Sequence, residues 1–237
     1  MTITEAVADV YLRATGKTTT LTTGTKFNKI IGLLNHYQKK WSRESGIDWN
    51  SLYNAGLSIG TVTATDTFGL DTNAIRKISD REGDCVRIVW SDGVGYTDYL
   101  VVPHDYLKDY YYGPNKENST GFVCTQIGKD LVFNHTFTTL DPQYAGEIFV
   151  PSYTFADPIV STAMDEDVQV DDPDWLVVAC AAEYVRTDLT RQSQHPFLIQ
   201  EANAIMERMK DDNGGQIDLV NRPWAPFSGV GNDSAWN

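Results

Sequence analysis

The sequence predicts an α+β fold in which helices from both ends of the chain pack as one helical layer or bundle. An antiparallel β-sandwich or barrel-like region is inserted between them, and an extended arm closes the chain. Three observations predict this fold. Apolar residues recur at helical spacing near both termini, the middle of the chain alternates with a period of two, and the final segment combines proline and glycine with aromatic residues.

The predicted organisation has five parts. They are residues 1–50 as N-terminal helices, 51–156 as an antiparallel β domain, 157–173 as an acidic connector, 174–213 as C-terminal helices and 214–237 as the arm. A chain of 237 residues is long enough for one well-buried domain, or for two small ones that share an interface. Its 41% hydrophobic and 22% charged residues exclude disorder throughout.

The first helix is predicted from about residue 3 to residue 14. Thr2 and Glu5 have the spacing of a capping box, and apolar residues follow at intervals of three and four. Gly16 is expected to end this helix, because glycine readily adopts the left-handed conformation that helix ends use.

A second, stronger helix is predicted up to about Arg43, with Thr25 as its N-cap. Its two faces differ in chemistry. The apolar stripe consists of Phe27, Ile30, Ile31, Leu34, Gln38 and Trp41, and the opposite face carries Lys26, Lys29, Lys39 and Lys40.

Gly16-Lys17-Thr18 has the last three letters of a phosphate-binding loop. That loop requires a further glycine five residues earlier, and it follows a buried strand. Tyr11 stands at that position, and the preceding segment is predicted to be helical. We therefore interpret these residues as the end of a helix, and we expect no nucleotide cofactor.

Short β-branched and aromatic stretches fill the middle of the chain. Two of the turns between them predict hairpins, at Trp90–Tyr96 and at Ile127–Leu131. A polar segment that contains Tyr110, Tyr111 and Tyr112 interrupts the series and is expected to be a long exposed loop, or one turn of helix followed by a loop.

The connector from Asp157 to Asp174 holds seven acidic residues and no basic one. It lacks the central glycine of a calcium-binding loop, so we interpret it as a solvated acidic loop without a metal. A helix is predicted to begin near Pro173 and another near Pro196, and Asn213-Gly214-Gly215 is predicted to end the second.

Charge and motif content narrow the possible functions. The net charge is −13, and residues 1–50 carry seven basic against four acidic residues, so the remainder carries −16. A body this acidic does not bind nucleic acid by neutralising phosphates. The three cysteines show no metal or disulfide spacing, and no nucleophile elbow or histidine pair is present. We therefore expect reduced thiols and no enzyme activity. We also expect no secretion signal and no membrane span.

Two stretches carry a resemblance to a known class of protein. They are "TKFNKIIGLLNHYQKKWSRESGIDW" and "PDWLVVACAAEYVRTDLTRQSQHPFLIQEANAIMERMKDDNGG". They resemble the opening helix and the closing helices of head–tail connector (adaptor, head completion) proteins of tailed bacteriophages. The resemblance covers about residues 25–55 and 172–215.

The resemblance implies a structural virion protein of the neck, assembled in the host cytoplasm. About twelve copies would form a ring that joins the portal protein to the downstream tail or neck protein. DNA would pass through the ring during ejection without sequence-specific binding, and the acidic balance suits a channel to which DNA does not adhere.

Surplus aromatic residues supply the predicted partner-binding residues. In the exposed loop these are Tyr110, Tyr111 and Tyr112, and in the arm they are Trp224, Phe227 and Trp236. An alternative is a receptor- or carbohydrate-binding module of a tail fibre, in which these tyrosines and the six tryptophans would stack on sugars. A hydrolase with an unrecognised site is a third class.

Overall fold

A computed structural model describes the chain except for short gaps and two longer segments. The described residues are 1–71, 74–79, 81, 83–107 and 121–213. Their long helices are α1 (Ile3–Thr15), α2 (Thr25–Ser42), α3 (Pro173–Arg186) and α4 (His195–Asn213). Short 3-10 helices lie at Asn50–Leu52 and Gln192–Gln194, and a helical turn occupies residues 104–107.

The middle of the chain forms one sheet. Its strands are β1 (Tyr53–Thr61), β2 (Thr67–Gly69), β3 (Ile75–Ile78), β4 (Cys85–Val89), β5 (Tyr96–Val101), β6 (Val123–Ile127), β7 (Asp130–Phe133) and β8 (Glu147–Thr154). The strand order is β1-β8-β4-β5-β6-β7-β2, and β3 also pairs with β8. All of these pairs are antiparallel except β5 with β6, so the sheet is mixed, and it curls into a half-barrel.

The predicted fold class was wrong in its β part. The strands form a single mixed sheet rather than an antiparallel sandwich or closed barrel. A period of two shows that a strand has two different faces, but it does not show the direction of its neighbour. Residues 102–122 separate β5 from β6, and a connection of a dozen or more residues can return the chain to form a parallel pair.

The predicted helical bundle was also wrong, because the helices are scattered rather than joined as one N- and C-terminal bundle. Helical turns occur within the sheet region as well, and α1, α2 and α4 each pack mainly against α3. Every residue from Trp175 to Ala182 is buried, so α3 has no solvent face over these eight residues. An apolar stripe predicts which face of a helix is buried, but it does not identify the partner.

Local sequence signals explain where the helices begin and end. At α1, the Thr2 hydroxyl accepts a bond from the Glu5 amide at 3.2 Å and the Glu5 carboxylate accepts one from the Thr2 amide at 2.8 Å, which confirms the capping box. Gly16 ends α1 in the left-handed region with φ of 68°, as predicted. Thr25 is not an N-cap. It is the first residue of α2, and the cap is Gly24. The φ at the cap position is 97°, a conformation that glycine adopts readily and threonine adopts only with strain.

The start of α3 and the two hairpins also agree with the sequence patterns. Asp172 caps α3 by accepting the Asp174 amide at 3.0 Å, and Pro173 occupies the first turn. Strands β4 and β5 pair around one predicted turn, and β6 and β7 around the other.

Buried apolar residues form two main cores. The first lies among the four helices and contains Trp41, Trp49 and Trp175. The second lies in the concave sheet and contains Tyr99, Phe133 and Phe137. Each region therefore has its own source of hydrophobic stabilisation.

Arg76 of β3 forms a polar junction between the two regions. Its guanidinium donates hydrogen bonds to the Glu44 carbonyl at 3.0 Å and the Ile47 carbonyl at 2.5 Å, both in the segment that follows α2. Asp48 of the same segment pairs with Lys77 at 2.5 Å. Charged and carbonyl groups thus hold the end of α2 against the sheet.

Both outer strands of the sheet are poor templates for a further strand. The long strand β1 has two register shifts against β8, and β2 at the other end has only three residues. Bulges and short edge strands oppose pairing with another chain, so the described sheet discourages edge-to-edge association.

Candidate functional site

Helix α2 presents a continuous cationic face to solvent. We define the cationic face as the exposed side chains of Lys26, Lys29, Lys39, Lys40 and Arg43, the C-cap residue of α2, together with the His36 imidazole that lies among them. They recur at intervals of three, four and seven residues, so they share one side of the helix. The opposite side is buried in the helical core through Phe27, Ile30, Leu34 and Trp41.

The cationic face lacks internal neutralisation. None of its side chains forms an ion pair with a carboxylate of the described residues, although most arginines elsewhere in that part of the chain do. Lys29 instead donates to the Thr187 hydroxyl at 2.6 Å. On a chain of net charge −13, an unpaired group of like charges is the unusual electrostatic feature.

Aromatic rings hold several of these cations in place. Lys26 lies over the ring of Tyr11, Lys29 over Tyr184 at 4.2 Å and Lys40 over Tyr37. The Arg43 guanidinium lies 5.1 Å from the ring centre of Phe155. Cation–π contacts keep the positive groups ordered without cancelling their charge, so the face keeps its attraction for anions.

A groove of about 470 Å³ runs beside the C-terminal half of this face. Gly32, His36, Lys39 and Arg43 form its helical wall, and residues 155–158 form the other wall. Gly32 leaves the groove open at one end, because a Cβ atom there would meet nothing within 4 Å.

Two amide side chains of α2 fix the far wall of the groove. Asn35 donates to the Ile159 carbonyl at 2.5 Å and accepts from its amide at 2.6 Å. Gln38, which is buried, donates to the Asp157 carbonyl at 2.8 Å and accepts from the Gln169 amide at 3.2 Å. Because these bonds satisfy backbone groups of an irregular segment, the groove wall is ordered by α2 itself.

The groove can bind an acidic surface through charge, hydrogen bonds and a small apolar contact with Phe155 and Pro158. It presents cations and a single imidazole, and its one carboxylate, Asp157, bonds to Gln169 at 2.8 Å.

Two neighbouring titratable groups with shifted pKa values lie elsewhere, in the sheet core. Burial raises the pKa of Tyr99, and burial lowers the pKa of His135, whose ring stacks on that of Tyr99 at 5.8 Å. Gln143 donates to the Tyr99 hydroxyl at 3.0 Å. These groups form a hydrogen-bonded network packed among phenylalanine rings, which is a structural arrangement.

The residues that the sequence predicted as partner-binding are not located by the structure. Tyr110, Tyr111, Tyr112, Trp224, Phe227 and Trp236 all lie outside the described residues. The sugar-stacking alternative loses three of its six tryptophans, because Trp41, Trp49 and Trp175 are buried in the helical core.

Two further sequence expectations concern metals and thiols. Within the described residues, no three histidine, cysteine or acidic side chains meet in a way that could hold a metal ion. All three cysteines are free thiols; Cys124 and Cys180 are buried, whereas Cys85 is half-buried.

None of the described helices is both long and apolar enough to cross a membrane.

The sequence identified the four lysines of the cationic face but missed His36 and Arg43. Their helical spacing from Lys29 and Lys39 is a signal that was present. The groove had no sequence signal, because its second wall lies more than a hundred residues further along the chain.

Comparisons with models of known protein families and with curated proteins gave no match.

Proposed function

We propose that the chain is a structural head–tail connector, an adaptor of the virion neck that forms a ring between the portal and the tail. The observation that carries the proposal is the cationic face of α2, which forms no ion pair with any described residue, on a chain of net charge −13. Such a face is complementary in charge to an acidic partner, and a second copy of the same acidic chain offers one.

Charge restricts how two copies can associate through this face. If the face lay on a two-fold axis, it would meet its own copy, and like charges would repel across the axis. A contact through this face therefore joins it to a different surface of another copy. When such a contact is repeated head to tail, it generates a closed ring if the rotation closes, which is the form of a connector.

The resemblance of both helical stretches to connector proteins supports the same proposal. The blunted edges of the sheet add to it, since they leave helical surfaces as the better candidates for contact between copies. An acidic inner surface would let DNA slide through without adhering, as the net charge implies.

Purified full-length protein tests the proposal by mass photometry, alone and with the portal protein of the phage that encodes it. We expect a discrete ring, and a larger complex when portal is added. Antibody labelling of virions should mark the neck. A chain that remains monomeric with and without portal, or a label on distal fibres, would overturn the proposal.

A further inference from the structure

The segment that forms the groove wall also carries the strongest acidic cluster of the chain. Beyond Ile159 it continues along the N-terminus of α1, where the Ile3 amide donates to the Glu166 carbonyl at 2.9 Å and the Thr4 amide to the Met164 carbonyl at 3.0 Å. We define the acidic patch as Glu5, Asp165, Glu166 and Asp167, all exposed.

The acidic patch is ordered and mostly unneutralised. Its backbone is tied to α1 by the bonds just described, and by one from the Val168 amide to the Met1 carbonyl at 3.1 Å. Asp167 lies 3.2 Å from the amino group of Met1, whereas Asp165 and Glu166 form no ion pair with any described residue. Ordered carboxylates lose little side-chain and loop entropy when they bind a cationic surface.

We propose that the acidic patch of one copy docks in the groove and on the cationic face of the next copy. This inference rests on the proposed ring, and it names the surfaces that meet within it. Charge complementarity carries it. Within the described residues, the cationic face forms no ion pair, and Asp167 is the one patch carboxylate that does, with the amino group of Met1.

One segment links the two surfaces within each copy. Residues 155–158 line the groove, and residues 165–167 contribute to the acidic patch. The same segment of each copy therefore carries part of both proposed contact surfaces. Repeating such a contact from copy to copy forms a head-to-tail chain, and a closed chain is a ring.

Nucleic acid is the other polyanion that could bind the cationic face. It is disfavoured because the remainder of the chain carries −16 and would repel a phosphate backbone over its whole length. A compact group of carboxylates on another protein avoids that repulsion, because it can approach the face without extending over the acidic body.

Charge reversal of each surface tests the inference. The face variant is Lys39→Glu with Arg43→Glu, and the patch variant is Asp165→Lys with Glu166→Lys. Each pair of residues is exposed and free of ion pairs in the described chain, so folding should be retained and is checked by circular dichroism. A matched control, Lys17→Glu with Lys129→Glu, changes the charge equally at exposed sites outside both surfaces.

Each variant alone should lose the ring, because its own face and patch then carry the same sign. An equimolar mixture of the two variants should regain it, since reversed faces meet reversed patches and native faces meet native patches in alternation. The control should form rings as the original chain does. Mass photometry at low salt measures all four samples.

The possible outcomes separate the inference from the proposed function. Rings from either single variant, or a mixture that stays monomeric, would overturn the inference while portal binding continued to support the connector. A wild-type chain without rings or portal binding would overturn the function itself. A further outcome involves a 30-base-pair DNA duplex. If the wild type binds the duplex, the face variant does not, and mixing the two variants restores no rings, then the face is a DNA contact and the inference is overturned.

Discussion

The helical region and the sheet region handle their surfaces in opposite ways. The helices bury a core that centres on three tryptophans, and they leave outside, on α2, a group of cations that form no ion pair with any described residue. The sheet buries a core with a polar network, Tyr99, His135 and Gln143, and its described edges are short or bulged. The difference teaches that the described sheet edges oppose the addition of a further strand, whereas the helices offer a charged surface for contact with a partner.

The substitutions with the largest expected effects test whether the helical core and the sheet core unfold separately. Trp41 is fully buried and stacks on Trp49 at 5.2 Å, and its carbonyl accepts the Trp49 indole N–H. Trp41→Ala should lower the free energy of unfolding of the helical region by about 3–5 kcal/mol, because it leaves a large cavity. Phe133→Ala, also fully buried, should do the same to the sheet.

Hydrogen exchange followed by mass spectrometry measures each region through its own peptides. We expect Trp41→Ala to speed exchange in α2 and α3, and Phe133→Ala to speed exchange in β6 and β7. Equal acceleration of both regions by either substitution would show that the two cores form one cooperative unit. Leu189→Ala, at a side chain that is 88% exposed, is the control and should change little.

A pair of glycine substitutions should have opposite signs in the two regions. At Gly146, a Cβ atom would lie 2.2 Å from the Val89 carbonyl oxygen, so Gly146→Ala should destabilise the sheet by about 1–3 kcal/mol. At Gly32, in the middle of α2, nothing lies within 4 Å, so Gly32→Ala should stabilise the helix by about 0.5–1 kcal/mol. Urea unfolding measures both, and a destabilised Gly32→Ala would show that the groove is less open than described.

The smallest expected effect concerns pH and only the sheet. Burial lowers the pKa of His135, so the unfolded chain gains a proton at a higher pH than the folded sheet does. The sign follows directly: stability is complete above the ordinary histidine pKa of about 6.5 and falls as the pH drops below it, by at most about 1.4 kcal/mol per pH unit. His135→Gln should flatten this slope. Urea midpoints between pH 7.5 and 5 provide the measurement, and an unchanged slope in His135→Gln would contradict the assignment.

Helix ends and hairpin turns were predictable from the sequence where all the residues that produce them lie within one short stretch. Thr2 with Glu5, Gly16, and Asp172 with Pro173 marked helix ends, and two turn sequences marked hairpins that the structure contains. Thr25 was wrongly predicted as a cap, since threonine is a good cap in general and only the backbone shows that Gly24 takes that position.

Long-range arrangement was not predictable in the same way. The parallel pair of β5 and β6 depends on the path of residues 102–122, and hydrophobic alternation carries no information about that path. The groove depends on Asn35 and Gln38 meeting a segment more than a hundred residues away. Each of those polar residues looks like an ordinary helix position until its partner is known.

The junction at Arg76 has a mechanical consequence. Apolar burial is non-directional, whereas the two carbonyl bonds of Arg76 are directional and restrict the angle between the sheet and the end of α2. In the ring that we propose, a change of a few degrees in this angle would displace the far end of the sheet, and a change at one side chain would then alter the diameter of the opening.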